Sequence, residues 1–237
     1  MDKLIQLIGG YRERDKFIRL CQYILKFVAG TGQTKLGAAL GKIADELSNC
    51  RAVLRLFDDV PMLAYTLRYG LGKKEPNSWM RLLELVSNCA NQLYFPLEHV
   101  SWLAKKQIIN RDGYPWGVAC IVAWGTALLS EILKAISRIY MIRNAQKVLL
   151  KEQNLDTKHE SEPSEMSHDI KSQMRMLKAK ECDNYLAVLE HSADFINAVN
   201  WLPPGILWSG KFSAKFTGGM GTISSAIKFY RLHSAKW

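Results

Sequence analysis

The closest approach to a phosphate-cradling loop in this sequence is Thr31-Gly32-Gln33-Thr34-Lys35. Such a loop needs glycines at set spacing, so that backbone N–H groups converge on the anion, and a lysine followed by Ser or Thr. The first glycine spacing and the Lys-Ser/Thr ending are both missing, so nucleotide chemistry is not expected. Asp58 and Asp59 are adjacent. On a helix they point about 100° apart and cannot form a facing acid–base pair. A helix-end role or a contact with a neighbouring arginine is expected instead. His159 and His168 have acidic neighbours in a polar stretch, where a solvated linker outweighs a metal site. The five cysteines (Cys21, Cys50, Cys89, Cys120, Cys182) are far apart and form no Cys-x-x-Cys pair. They read as reduced, buried small hydrophobes. No Gly-x-Ser-x-Gly, His-Glu-x-x-His or dinucleotide fingerprint occurs, so neither an enzyme nor a metal or cofactor is expected.

With catalysis set aside, charge and periodicity carry the reading. Apolar residues make up 48% of the chain, enough for a core, and the net charge is +10. That excess suits an anionic partner. Residues 1–114 hold 17 basic and 11 acidic side chains spread along helical faces. With no compact Lys/Arg run and no zinc-finger spacing, a membrane surface is favoured over nucleic acid. The terminal residues suggest no secretory signal or prenylation box, so any organelle address is expected to be internal.

The expected fold class is all-α: amphipathic N-terminal helices followed by one or two hydrophobic membrane helices. Residues 4–28 place Arg12, Lys16, Arg19 and Lys26 near one face and Phe17, Cys21, Ile24 and Val28 on the other. The cleanest period follows in Leu36, Leu40, Ile43, Leu47, Cys50, Leu54 and Phe57, at alternating steps of four and three. This stripe fits either a seam packed in a core or a face laid into lipid. A short helix is expected over 62–69. Another, capped by Ser78, carries Leu82, Val86, Cys89 and Leu93, and Pro96 should kink or end it.

Residues 116–130 are uniformly apolar or small, fifteen in a row against the roughly twenty needed to span. Extending the run takes in Glu131 and Lys134, expected to snorkel at one interface, with Tyr114, Trp116 and Tyr140 as aromatic anchors. The alternative is a helix buried in a soluble bundle. Lys105, Lys106 and Arg111 before the run nearly balance Lys134, Arg138, Arg143 and Lys147 after it, so charge does not orient it. Residues 151–180 carry six basic and six acidic side chains and read as a disordered linker. Four regions follow: 1–114 amphipathic and membrane-binding, 115–150 the first hydrophobic helix with its basic flank, 151–180 the linker, and 181–237 a C-terminal helical region. In the last, 216–229 is a weaker membrane candidate. Its small residues Gly218, Gly221 and Ser225 have the spacing of close helix contacts in lipid and are candidates for self-association. A glycine-rich loop before a core helix is the alternative.

Several segments together resemble the peroxisomal membrane-proliferation family, peroxin eleven, and most nearly its gamma type. They are Cys50-Arg51-Ala52-Val53-Leu54-Arg55-Leu56-Phe57-Asp58-Asp59, Ala64-Tyr65-Thr66-Leu67-Arg68-Tyr69-Gly70-Leu71-Gly72 and Asn91-Gln92-Leu93-Tyr94-Phe95-Pro96-Leu97-Glu98-His99-Val100-Ser101-Trp102. A fourth is Asn197-Ala198-Val199-Asn200-Trp201-Leu202-Pro203-Pro204-Gly205-Ile206-Leu207-Trp208-Ser209-Gly210, followed by Gly219-Met220-Gly221-Thr222-Ile223-Ser224-Ser225. They lie in the family's order along nearly the whole chain outside the linker. The resemblance implies a multi-pass peroxisomal membrane protein with cytosolic termini that elongates the membrane ahead of fission. It implies homo- and hetero-oligomers and contact with a fission-machinery adaptor. It also implies that Leu36, Leu40, Ile43, Leu47, Leu54 and Phe57 insert into one leaflet, with Arg51 and Arg55 at the lipid headgroups. Here Ala52, Val53 and Leu54 separate the two arginines and Phe57-Asp58-Asp59 follow, a less cationic helix than the family pattern. A small-solute channel and a helical adaptor are the alternative functions.

Overall fold

The computed structural model describes residues 9–30, 34–159 and 165–234, and over 153–168 only the course of the backbone. Every regular element among the described residues is helical. The helices are α1 (Tyr11–Ala29), α2 (Lys35–Leu54), a 3-10 turn (Arg55–Phe57), α3 (Asp59–Tyr69), α4 (Ser78–Lys105), α5 (Tyr114–His159), α6 (Glu165–Asn200) and α7 (Ala214–Ser234).

Local chemistry sets most boundaries. Gly30 follows α1, and a side chain there would collide with the backbone of Lys215 at the start of α7. Thr34 caps α2, its hydroxyl accepting from Gly37 N at 3.0 Å. Gly70 ends α3 with φ +56°, a conformation that costs glycine nothing. Asn77, one residue before the expected Ser78, caps α4 by accepting from Trp79 N and Met80 N at 2.9 and 3.2 Å. An amide oxygen here occupies the site a serine hydroxyl would otherwise take. Pro96 neither ends nor divides α4, which continues to Lys105. The ring lies on the exposed outer face, and packing against α5 carries the helix past the missing donor.

The expected linker is where sequence and structure part most clearly. Residues 151–159 extend α5 and 165–180 form the first half of α6, while 160–164 lie outside the described residues. The composition that suggested disorder is also rich in Lys, Glu, Gln, Met and Leu, all strong helix formers, and each helix has the other to pack on.

The helices pack as a row in the order α2, α1, α7, α6, α5, α4, α3. The 3-10 turn bends the row back on itself, because Arg55 pairs with Glu98 of α4 and lies 5.9 Å over the Tyr94 ring. Neighbours in the row are antiparallel. Phe17 of α1 meets Phe229 of α7 at 6.4 Å, Arg231 of α7 pairs with Asp183 of α6, and Trp124 of α5 stacks on Trp201 after α6. The start of α1, the end of α7 and the free end of the α5–α6 pair therefore share one end of the bundle. The loops at 106–113 and 201–213 share the other.

Candidate membrane interface

By the standard of a soluble protein the bundle is partly inside out. Glu190, Asn197, Asp194, Ser224 and Ser225 are fully buried beside a small apolar core that includes Leu83, Leu128 and Val199, while many leucines, valines and aromatics line the outside. Burying ionised groups is tolerable only if each is paired. Arg19 of α1 donates to both carboxylate oxygens of Asp194 at 2.6 and 2.7 Å and to Ser224 Oγ at 3.3 Å. Glu190 takes Arg231 at 2.8 Å and Lys228 at 3.3 Å. Lys134 of α5 holds Glu84 of α4 and Glu131, both at 2.6 Å, while Tyr65 and Ser87 donate to those same carboxylates.

Outside, the contrast is complete over a belt. No exposed residue carries a charge between Arg14 and Gly30 on α1, between Ser78 and Lys105 on α4, or between Pro115 and Arg138 on α5. The same holds between Asp183 and Asn200 on α6 and between Lys215 and Ser234 on α7. Between Ser78 and Lys105 the exposed residues of α4 are Trp79, Leu82, Val86, Cys89, Leu93 and Pro96, so the stripe Leu82, Val86, Cys89 and Leu93 read from sequence is turned outward. Among the described residues α5 alone is long and apolar enough to cross a membrane by composition, and only 28% of its most apolar stretch is buried inside the protein. Residues 116–136 of it rise about 31 Å, the thickness of a hydrocarbon core. The membrane candidate at 216–229 forms most of α7, whose buried glycines and serines dilute an apolar outer face of Phe216, Ile223 and Tyr230.

The long stripe on α2 divides. Leu40, Leu47 and Leu54 are half-buried, whereas Leu36, Ile43, Cys50 and Phe57, each seven residues on, are exposed. Val53, Val60, Leu63 and Leu67 continue the outer row through the 3-10 turn into α3. Seven residues fall 20° short of two full turns, so each row drifts only slowly around its helix.

Arg51 does not lie at a headgroup position. It is buried, with Nε donating to Asp15 Oδ1 at 2.9 Å and Nη1 to Gln22 Oε1 at 3.3 Å. Arg55 is committed to Glu98, which also accepts from Tyr94 at 2.8 Å. The exposed bases of α2 are Lys35 and Lys42. Tyr11 ties α1 to this corner through Leu54 O at 2.6 Å and Asp58 at 3.1 Å. Burial, then the Asp58 carboxylate, push its hydroxyl up to about 12.

The small-residue stripe meets α1 of the same chain. A Cβ on Gly218 would fall 2.6 Å from Phe27 N, and one on Gly221 would lie inside the Tyr23 ring. Ser225 turns inward and donates to Gly221 O at 2.6 Å. Lys134, expected to snorkel, is buried between its two carboxylates. Of the cysteines only Cys120 is buried, while Cys50, Cys89 and Cys182 are exposed. Sequence reasoning missed the partners Asp15, Glu84, Glu190 and Asp194. Asp194 left a signal, a lone carboxylate between Ala193 and Phe195 in an apolar stretch, the kind that persists only with a buried cation opposite.

A helical bundle with ion pairs in its interior, an outer belt free of fully exposed charge and one helix apolar enough to span has the character of a membrane protein. The chain belongs to the family Peroxisomal biogenesis factor 11 (PEX11), which it matches over residues 1–233. It is 33% identical over 233 residues to the mouse protein named Peroxisomal membrane protein 11C, covering 96% of this chain and 92% of that one. It is 32% identical over 234 residues to the human protein of the same name, with the same coverage. No solved structure matches it. It is thus a peroxisomal membrane protein of a biogenesis family.

Proposed function

We propose that this protein elongates the peroxisomal membrane ahead of fission by laying the outer row of α2, the 3-10 turn and α3 into one leaflet. The observation that carries this reading is the exposed apolar row Leu36, Ile43, Phe57, Val60 and Leu67 beside a bundle whose own outer belt is apolar. If Leu36, Ile43, Val53 and Phe57 each gained half of a full burial, insertion would be worth roughly 3–6 kcal/mol. Each lysine near an anionic leaflet adds about 1 kcal/mol. The apolar term therefore dominates, and Lys35 and Lys42 supply the headgroup contact. A shallow wedge expands one leaflet against the other and favours curvature. A multi-pass arrangement with cytosolic termini belongs to the same reading, and it is supported by the start of α1 and the end of α7 lying at one end of the bundle. Self-association, mixed oligomers and recruitment of a fission adaptor belong to the same reading, with outer faces rather than Gly218, Gly221 and Ser225 as the contact.

The test is reconstitution of the full-length chain in anionic vesicles with imaging of their shape. Wild type should draw tubules. Ile43→Asp with Phe57→Asp should incorporate equally and leave vesicles round. Tubules from that variant would refute the wedge. Solute conductance is a second reading, favoured by polar groups that converge from α1, α4, α5, α6 and α7; a flat current trace across planar bilayers would remove it.

A further inference from the structure

Past the bundle, α5 and α6 continue as an antiparallel two-helix arm. The last hydrogen bond of α5 to a helix other than α6 is Trp79 Nε1 donating to Ser137 Oγ at 3.2 Å, and the first of α6 to a helix other than α5 is Arg231 with Asp183 at 2.8 Å. Between these points the described side chains bond only within the arm, as where Arg143 and Gln146 hold Glu181 at 2.8 and 2.9 Å. Hydrogen bonding to Arg143 keeps the Glu181 carboxyl below its ordinary range. From Ser137 to His159 the helix rises about 33 Å.

The Arg143–Glu181 pair identifies one flank of the arm. At 100° per residue, Lys147 and Lys151 share the flank of Arg143 on α5. Lys171 and Lys178 share that of Glu181 on α6, with Arg175 at its edge. All five cations are exposed, and none pairs with a described carboxylate. Glu181, the carboxylate described on that flank, is already taken.

We propose that this flank docks an acidic segment of another protein, laid lengthwise between the two rows of cations. The inference rests on reading the apolar half of α5 as the membrane span. In that frame Lys147 stands about 15 Å and Lys151 about 21 Å along the helix beyond Ser137. Charge is screened within about 8 Å at physiological salt, so the arm's own leaflet is out of reach. Two parallel rows of cations are matched by carboxylates repeating along a helix or strand, which gives orientation as well as attraction.

The experiment uses the full-length chain in phosphatidylcholine nanodiscs, titrated with a fluorescent glutamate-rich helical peptide of about twenty residues and read by anisotropy. Binding should weaken with added salt. Lys147→Glu with Lys178→Glu should weaken it at least about tenfold, while Lys211→Glu with Lys215→Glu, at the opposite end of the bundle, should leave it within about twofold. Equal binding by wild type and the arm variant overturns the proposal. So does wild-type protein that ignores the peptide, or that captures phosphatidylserine vesicles through the arm instead. Entry into nanodiscs is scored separately. A chain that stays out of the discs refutes the spanning reading, and the same titration on detergent-solubilised protein still decides the docking.

Discussion

Arg19 and Asp194 lie 175 residues apart in sequence and meet in the interior of the bundle, one guanidinium nitrogen donating to both carboxylate oxygens. Both are almost completely buried, and Ser224 adds a third partner from α7. The pair therefore joins α1, α6 and α7 at one point. Removing either partner strands the other charge where it cannot be solvated. Arg19→Leu and Asp194→Leu should each destabilise by about 3–5 kcal/mol, whereas the double substitution should cost markedly less. Thermal unfolding of purified protein in detergent checks this; a double variant no better than either single would mean that the pair does not act as a unit.

The close approach of α7 to α1 gives a second expectation. Leucine at Gly221 meets the Tyr23 ring, so Gly221→Leu should reduce stability by about 1–3 kcal/mol or more before any effect on association. Combining it with Tyr23→Ala should recover part of the loss. Unfolding midpoints and a pull-down between differently tagged copies separate the two effects. A well-folded Gly221→Leu protein that only fails to self-associate would place the stripe between chains after all.

Arg51 of α2 and the two lysines of that helix should respond oppositely. Arg51→Ala leaves Asp15 buried with only Lys16 as a partner, 3.0 Å away, and should lower stability by about 2–4 kcal/mol at any salt concentration. Lys35→Ala with Lys42→Ala should leave the melting temperature unchanged and weaken tubulation of anionic vesicles, with the difference vanishing at high salt. Tubulation lost at equal stability in Arg51→Ala would restore a headgroup role.

Periodicity announces helices in this sequence well, but not which way they face. The stripes on α2 and α4 were legible because steps of three and four leave no strand reading, and Gly30, Gly70 and Trp201-Leu202-Pro203-Pro204-Gly205 mark ends by local chemistry. Orientation is a tertiary fact. The same Leu82, Val86, Cys89 and Leu93 row would face a core in water and faces outward here. Arg51 shows the other limit. An arginine beside an apolar stripe reads as a surface charge until Asp15, on another helix, supplies the buried carboxylate. The arm escaped notice because disorder and a charged two-helix pair share a composition and differ only in whether a partner helix is at hand.

The exposed cysteines test the embedding directly, because each samples a different environment. Cys182 sits at the base of the arm, Cys89 on the outer apolar face of α4 and Cys50 on the outer row of α2. Single-cysteine variants reconstituted in anionic vesicles would be treated with a charged maleimide, which reacts with a thiolate only where water reaches it. Cys182 should label quickly. Cys89 should resist until detergent strips the lipid away, since the protein itself does not cover it. Cys50 is the discriminating site. It should be protected in wild type if α2 lies in the leaflet, and should become reactive when Ile43→Asp and Phe57→Asp lift the row out while Cys89 stays protected. Free labelling of Cys89 in intact vesicles would place α4 outside the membrane and refute the inside-out reading of the bundle. Rapid labelling of Cys50 in wild type, with Cys89 protected, would keep the bundle embedded but deny the wedge, leaving membrane elongation to act through partners.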